Sequence, residues 1–184
     1  MTRKFLSTAL ATTAVASILA ACSTVQMAPM YDQSALPSAV QVPAGNKVAM
    51  EVVGVGQITY ECREKADVAD QYEWVFVSPS AALNDRSGKQ IGKYFGPPAT
   101  WENMDGSKIT GTQVAVVPAG AGNISSQLVK ANPAMGAGAM TGVTYVQRVA
   151  TKGGVAPAMA CDSGSKGKKE IVIYQADYIF YKGA

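Results

Sequence analysis

Over most of the chain, apolar and polar residues alternate with a period of two, and no other feature constrains the fold as strongly. Residues 47–52 and 57–63 each predict a half-buried strand whose even-numbered side chains face inward. Gly54 and Gly56 between them predict a tight turn or a bulge. Residues 171–181 are nearly continuous in their apolar even face, which favours the centre of a sheet over an edge.

Turn-forming residues separate these strands. Ser78-Pro79-Ser80 is expected to end the aromatic strand at 72–77, and Gly96-Pro97-Pro98 to end the next one. Asp105-Gly106 is the strongest hairpin signal in the chain. The pattern gives roughly eight to ten short strands and no amphipathic helix. It therefore predicts an all-β fold, an antiparallel β-sandwich or barrel-like domain with Gly/Pro-rich loops.

The N-terminus predicts export and lipidation. Residues 1–21 begin with Arg3 and Lys4, continue as an apolar run and end in small residues, which is typical of a cleaved secretory signal peptide. Leu19-Ala20-Ala21 directly before Cys22 resembles the bacterial lipobox, in which the cysteine is lipidated and begins the mature protein. The alternatives are an ordinary secretory signal, in which Cys22 is incidental, and a membrane-spanning helix, which the many Ser and Thr residues disfavour.

Residues 22–43 show no period and contain three prolines, which predicts a flexible tether between the lipidated cysteine and an all-β domain at 44–184. In bacterial lipoproteins, a non-acidic residue such as Ser23 after the cysteine implies sorting to the outer membrane. We therefore expect a bacterial cell-envelope protein, lipid-anchored through Cys22 and facing the periplasm or the cell surface.

Charge and composition exclude several functions. The chain contains no histidine, which rules out His-based nucleophile systems and His-ligated metal sites. It has 16 basic and 13 acidic residues, and loss of the signal removes two bases, so the mature chain is almost neutral. Without a basic stripe, no nucleic-acid partner is expected. No catalytic residue, metal or cofactor is predicted.

Two cysteines, Cys62 and Cys161, remain after Cys22 is set aside. In an oxidising compartment they are expected to form a disulfide. Two free thiols or a thiolate metal site are the alternatives. The metal site is disfavoured because two thiolates, without histidine or a further cysteine, provide too few ligands.

Several sequence phrases occur together in a fixed order, and they carry a family resemblance. They are VGQITYEC at 55–62, GP at 96–97, TWE at 100–102, DGSK at 105–108, TYVQRV at 144–149, TKGG at 151–154 and ADYIFY at 176–181. The chain resembles a family of secreted bacterial and fungal proteins classed as domain of unknown function 3455. The resemblance implies an extracytoplasmic domain with two paired cysteines and no established activity. Some fungal relatives carry a malate dehydrogenase label, but the glycines at 54 and 56 lead into a strand and no βαβ unit follows.

Gln147, Arg148 and Lys152 form the densest polar group in the chain. The two cations could hold an anionic ligand, while the glycines that follow let it approach the backbone. The structural alternative places Arg148 on the outward face of its strand, paired with Glu61 or Asp177.

Two further residues complete the candidate ligand-binding set. Asp177 is a partly buried carboxylate in the apolar last strand and needs a cation or donors. Trp101, beside Glu102 and Asp105, could be the aromatic platform of a sugar site, although an Asp before Gly is more often part of a turn.

Three functions follow. The first is a non-enzymatic envelope domain that binds a protein or a small molecule or has a structural role. The second is a hydrolase of carbohydrate or envelope polymer that uses carboxylates among Glu61, Glu102, Asp105 and Asp177. The third, a thiol redox protein using the two remaining cysteines, lacks a C-x-x-C motif.

Overall fold

The alternating segments form eight antiparallel strands in the computed structural model, which describes residues 31–184. The strands are β1 Asn46–Glu64, β2 Tyr72–Asn84, β3 Gln90–Phe95, β4 Thr100–Asn103, β5 Lys108–Val117, β6 Ser126–Ala131, β7 Val143–Gly153 and β8 Lys169–Gly183. Each strand pairs with the next along the chain, and β8 pairs with β1, so the sheet closes into a barrel. The predicted all-β, barrel-like class is confirmed. Residues 31–184 form no helix with the length and hydropathy of a transmembrane segment.

Strand β1 is one continuous strand of 19 residues, and its pairing runs without a shift through Gly54 and Gly56, so the predicted turn or bulge at these glycines is wrong. Both glycines let neighbouring groups approach the backbone. A Cβ on Gly54 would lie 2.5 Å from the Tyr178 ring, and one on Gly56 would lie 2.4 Å from the Cα of Ala81. The glycines therefore allow close packing inside the barrel instead of reversing the chain.

Strand β2 also runs further than predicted, because Ser78-Pro79-Ser80 lies within its 13 residues. Pro79 pairs with Ile58, one position from a register shift between Thr59 and Tyr60. The pairing of β2 with β3 begins only at Ser80, so Pro79 has β1 on one side and, among the described residues, no partner strand on the other, an edge-like position in which a strand tolerates a missing backbone donor. The predicted stop after β3 and the hairpin between β4 and β5 are both present.

The barrel interior is packed at one end. The even-numbered residues of β8 face inward as predicted, and Tyr178 and Phe180 are completely buried there. The β6–β7 loop covers this end with Met140, which is also fully buried. Asp105 and Ser107 in the β4–β5 turn hold this loop, accepting hydrogen bonds from the backbone amides of residues 139 and 140 at 2.7 and 3.1 Å. We call this end the closed end.

Residues 31–43, which the sequence assigns to a flexible tether, pack against the outer face of the barrel. Val40 and Val42 are buried there, in a second apolar cluster with Leu128, Val149 and Ile179. We call this segment the strap. The part of the expected tether that the structure describes, residues 31–43, is thus packed against the barrel and is not a free linker. The predicted signal peptide and Cys22 lie outside the described residues.

The predicted disulfide is present. Cys62 on β1 is bonded to Cys161 in the β7–β8 loop, 99 residues further along the chain. The bond ties this long loop to the end of the barrel opposite the closed end.

Candidate ligand-binding site

The end opposite the closed end contains a cavity of about 350 Å³. An eight-stranded barrel has an interior that side chains fill or that holds one small ligand, and this barrel is filled at one end and hollow at the other. The cavity lies near the lower limit of the ~300–1,000 Å³ typical of small-molecule sites. We call it the open-end cavity.

Aromatic side chains form much of its wall. They come from five strands: Tyr60, Phe76, Tyr94, Trp101 and Tyr174. Tyr94 stacks on Trp101 with ring centroids 4.9 Å apart, and Tyr60 meets Phe76 edge to face at 6.3 Å. Aliphatic groups, including Ile58 and Val129, line the rest of the apolar wall. The rings are arranged to contact an apolar or planar molecule.

Arg148 lines this cavity, so the structural alternative that placed it on the outward face of its strand is wrong. A register shift between Val143 and Tyr145 changes the phase of β7, which turns Val146 and Arg148 inward. Val149 faces outward but is buried under the strap. Because both faces of β7 are covered, its alternation does not show which face is the interior.

The guanidinium of Arg148 is only partly satisfied by the protein. Its Nε and Nη2 donate to the Ser125 carbonyl at 3.2 and 3.0 Å. Arginine has five N–H donors, so three remain without a protein acceptor within the described residues. The expected ion pairs with Glu61 and Asp177 do not form. Of the described residues that line the cavity, Arg148 is the sole charged one.

The phenols around Arg148 stay protonated near neutral pH. Burial raises the pKa of Tyr174 to about 12, although the Arg148 charge acts in the opposite direction. Burial also raises the pKa of Tyr60 and that of Tyr94, again opposed by Arg148. No neighbouring phenolate therefore neutralises the guanidinium, and the cavity carries one net positive charge.

Two glutamines add amide groups to the wall, with Gln127 Nε2 donating to Gln113 Oε1 at 2.6 Å. Gln127 pairs with Arg148 across β6 and β7, which places an amide next to the guanidinium. The indole Nε1 of Trp101 is shut off from solvent and has no acceptor within residues 31–184. A ligand would reach that nitrogen only after a side-chain shift, so the accessible donors are those of Arg148 and the amides.

The rim of the cavity is held by bonds between loops. The Tyr60 hydroxyl donates to the Gly154 carbonyl at 2.8 Å, and Trp74 Nε1 donates to the Met159 carbonyl at 2.9 Å. Both acceptors follow β7, in the segment that the disulfide ties to β1. These links keep the mouth formed without filling it.

Gln147 and Lys152 lie outside the cavity. Gln147 is fully buried on the outer face, where its Nε2 donates to the Val40 carbonyl at 2.6 Å and to Gln33 Oε1 at 2.9 Å. Its Oε1 accepts from the Tyr181 hydroxyl at 3.0 Å. Gln147 therefore anchors the strap, and Lys152 is exposed on the surface. The predicted polar group is divided between the two sides of the sheet.

The carboxylates of the hydrolase hypothesis lie in four separate networks. Asp177 is paired with Arg86 at 2.8 Å on the outer face, not with Arg148 or Lys152. Arg86 also binds Glu51 at 2.8 Å. The other three are occupied locally: Glu61 by Arg63, Glu102 by Lys93, and Asp105 by Ser107. None of the four lines the open-end cavity.

The Asp105 carboxylate has a structural task. The Ser107 hydroxyl, followed by the amides of Ala139 and Ser107, lowers the pKa of Asp105 through hydrogen bonds to the ionised form. Trp101 is on the barrel interior, whereas Asp105 lies in the exposed turn. Residues 31–184 contain no cluster of three or more His, Cys, Asp or Glu side chains that could hold a metal.

Of the five predicted binding residues, Arg148 and Trp101 both line the cavity. Sequence reasoning missed the other polar and aromatic wall residues: Tyr60, Phe76, Tyr94, Gln113, Gln127 and Tyr174. Alternation did identify Tyr60 and Tyr174 as inward-facing. It gave no signal that the interior would remain open around them.

One family model matches the chain. It covers residues 43–182 and is described as Protein of unknown function (DUF3455). No curated protein and no solved structure matches the chain.

Proposed function

Because the chain belongs to the DUF3455 family of proteins of unknown function, we propose its role from its own site: a non-enzymatic domain that holds one small ligand in the open-end cavity. The observation that carries this proposal is the cavity of about 350 Å³, walled by aromatic rings around the guanidinium of Arg148, which has no carboxylate partner within residues 31–184. An unfilled interior and a charge without a counter-ion both reduce stability, so folding alone does not account for them.

The chemistry of the wall supports binding over catalysis. General acid–base hydrolysis of the predicted kind needs two carboxylates about 5–9.5 Å apart around one bond. The described residues that line the cavity include no carboxylate and no thiol. Their only hydroxyls are protonated phenols, and no general base lies among these lining residues to activate them. The groups that are present can orient and hold a ligand.

Fluorescence of Trp101 offers a direct test. The chain has two tryptophans, so a Trp74→Phe variant of the full-length protein leaves Trp101, in the cavity wall, as the single indole. Because this variant loses the rim bond from Trp74 to the Met159 carbonyl, thermal unfolding would be scored on the unsubstituted protein as well. A panel of organic acids, amides, sugars, nucleotides and peptidoglycan fragments would be scored by this fluorescence and by thermal unfolding. A ligand at 100 times its Kd adds about 2.7 kcal/mol, or several degrees.

We expect at least one class of compound to change both signals. A matched variant, Ala99→Leu, places a larger side chain in the cavity wall and should weaken that response. Thermal shifts that occur without any change in Trp101 fluorescence would locate binding elsewhere. A flat panel in both readouts would count against a small-molecule site.

The domain is proposed to act in the bacterial cell envelope, anchored to the membrane by lipid on Cys22, at the outer membrane facing the periplasm or the cell surface. The lipobox-like residues before Cys22 and the non-acidic Ser23 support this location. Growth of the producing bacterium with a labelled fatty acid should label the protein, whereas a Cys22→Ser variant should remain unlabelled. Equal labelling of the two proteins would refute the assignment.

A further inference from the structure

We infer that the open-end cavity selects small organic anions with a flat apolar body, and carboxylates of this kind in particular. This inference rests on the proposed binding function and adds the chemical class of the ligand. Its basis is the position of Arg148 among the rings of Tyr60, Tyr94, Trp101 and Tyr174.

The charge requirement follows from the bonds of Arg148. The Ser125 carbonyl fixes one edge of the guanidinium through Nε and Nη2. Both Nη1 donors and the remaining Nη2 donor have no acceptor within the described residues. These three donors lie along the other edges of a planar fork, which suits the two oxygens of a carboxylate. Because the carbonyl is neutral, it orients the fork and leaves its charge for the ligand.

The flat apolar body of the ligand is inferred from the aromatic and aliphatic side chains of the cavity wall. Stacked and edge-on aromatic pairs leave ring faces and edges along the cavity, and Ile58, Ile124 and Val129 add aliphatic surface. Burying a flat apolar group against them yields favourable contact area at little rotamer cost. A bare small anion would satisfy Arg148 but leave these walls unused. A neutral aromatic molecule would use the walls but leave the cation unpaired.

Three probes separate the two requirements: phenylacetate carries the ring and the charge, phenylacetamide carries the ring alone, and acetate carries the charge alone. Binding to the full-length protein would be measured by calorimetry, with titration of each probe into the same buffer without protein as the blank. We expect phenylacetate to bind at least about tenfold more tightly than phenylacetamide, since hydrogen bonds to charged groups exceed neutral ones by about this factor. We expect a similar margin over acetate, because acetate buries no ring against the apolar walls.

Substitutions test the role of Arg148. Arg148→Gln should remove the preference for phenylacetate over phenylacetamide, and Arg148→Lys should restore part of it by keeping the charge without the fork. Lys152→Gln removes one positive charge from a nearby exposed position and should leave the preference unchanged. Thermal unfolding of each variant shows whether it is folded, and the comparison of probes on the unmodified protein needs no variant.

The outcomes separate this inference from the proposed function. Phenylacetamide binding as tightly as phenylacetate, or a preference that survives in Arg148→Gln, overturns the anion class while the binding function stands. Acetate binding as tightly as phenylacetate overturns the requirement for an apolar body. Failure of phenylacetate in a protein whose cavity takes a neutral panel ligand also overturns the inference alone. Absence of binding in every arm and in the panel overturns both.

Discussion

The Gln147→Ala substitution tests whether the strap is an integral part of the fold. Gln147 makes three hydrogen bonds on the outer face, to the Val40 carbonyl, Gln33 Oε1 and the Tyr181 hydroxyl. After truncation, Gln33 still bonds to the Val42 amide, but the Val40 carbonyl and the Tyr181 hydroxyl lose their partner in a buried setting.

The size of the effect follows from these two groups. Leaving a buried polar group without a partner costs about 1–3 kcal/mol, so two of them give about 2–6 kcal/mol. We expect the free energy of unfolding to fall by about 3 kcal/mol, a large share of the ~5–15 kcal/mol typical of a domain. The unfolding midpoint should fall by roughly 6–12 °C.

Urea unfolding of the full-length protein measures this loss, with Gln175→Ala as the matched control. Gln175 is a half-buried glutamine on β8 for which no side-chain hydrogen bond is present within residues 31–184. Its truncation should change stability by less than about 0.5 kcal/mol. Limited proteolysis should cut residues 31–43 faster in Gln147→Ala than in the control. Equal stability of the two variants would refute the strap as a stabilising element.

Three further predictions concern the barrel itself. Burial raises the pKa of Tyr174 from 10.0 to about 12. The stability that Tyr174 contributes is therefore constant below pH 10 and is lost above it, where the unfolded state ionises first. Other buried tyrosines with raised pKa values, such as Tyr178 and Tyr181, add to the same loss, so the Tyr174 share is isolated by comparison with Tyr174→Phe. Urea unfolding should show a slope that is smaller in Tyr174→Phe by about 1.4 kcal/mol per pH unit between pH 10 and about pH 12. Gly54→Ala should cost about 1–3 kcal/mol in urea unfolding, because its Cβ would lie 2.5 Å from a buried ring, whereas Gly183→Ala meets nothing within 4 Å and should be nearly neutral. Replacing Cys62 and Cys161 by alanine should lower the unfolding free energy by about 4–5 kcal/mol, given the 99-residue separation, and a loss below about 1 kcal/mol would contradict the loop-entropy reasoning.

The strands could be predicted because the inward side chains of a half-buried strand are apolar and the outward ones polar, so the alternation is visible in the sequence. The even face of β8 is the clearest example, with Tyr174, Ala176, Tyr178 and Phe180 all buried as expected. The lengths of β1 and β2 could not be predicted. The glycines of β1 and the proline of β2 are compatible with a turn or a continuing strand, and partners on other strands decide between them.

The strap and the phase of β7 share one physical cause for their misassignment. The Val40 carbonyl reaches Gln147 across 107 positions of sequence, so no local pattern reveals that residues 31–43 are docked. Once docked, the strap covers Val149 on the outer face of β7. An apolar residue on each face then makes the alternation ambiguous, which is why Arg148 was expected outside.

The two ends of the barrel meet different demands with the same strands. At the closed end, the absence of a side chain at Gly54 leaves room for the Tyr178 ring to pack, and the β6–β7 loop adds Met140 to the core. At the open end, the disulfide and the hydrogen bonds of the rim supply rigidity without filling the interior. A domain with a purely structural role would gain stability by filling this end or by turning Arg148 toward water. A rigid rim around a hollow interior, in which Arg148 is the one charged residue among the described lining residues, instead supports the proposed binding function, because preorganised donors lower the entropy cost of holding a ligand.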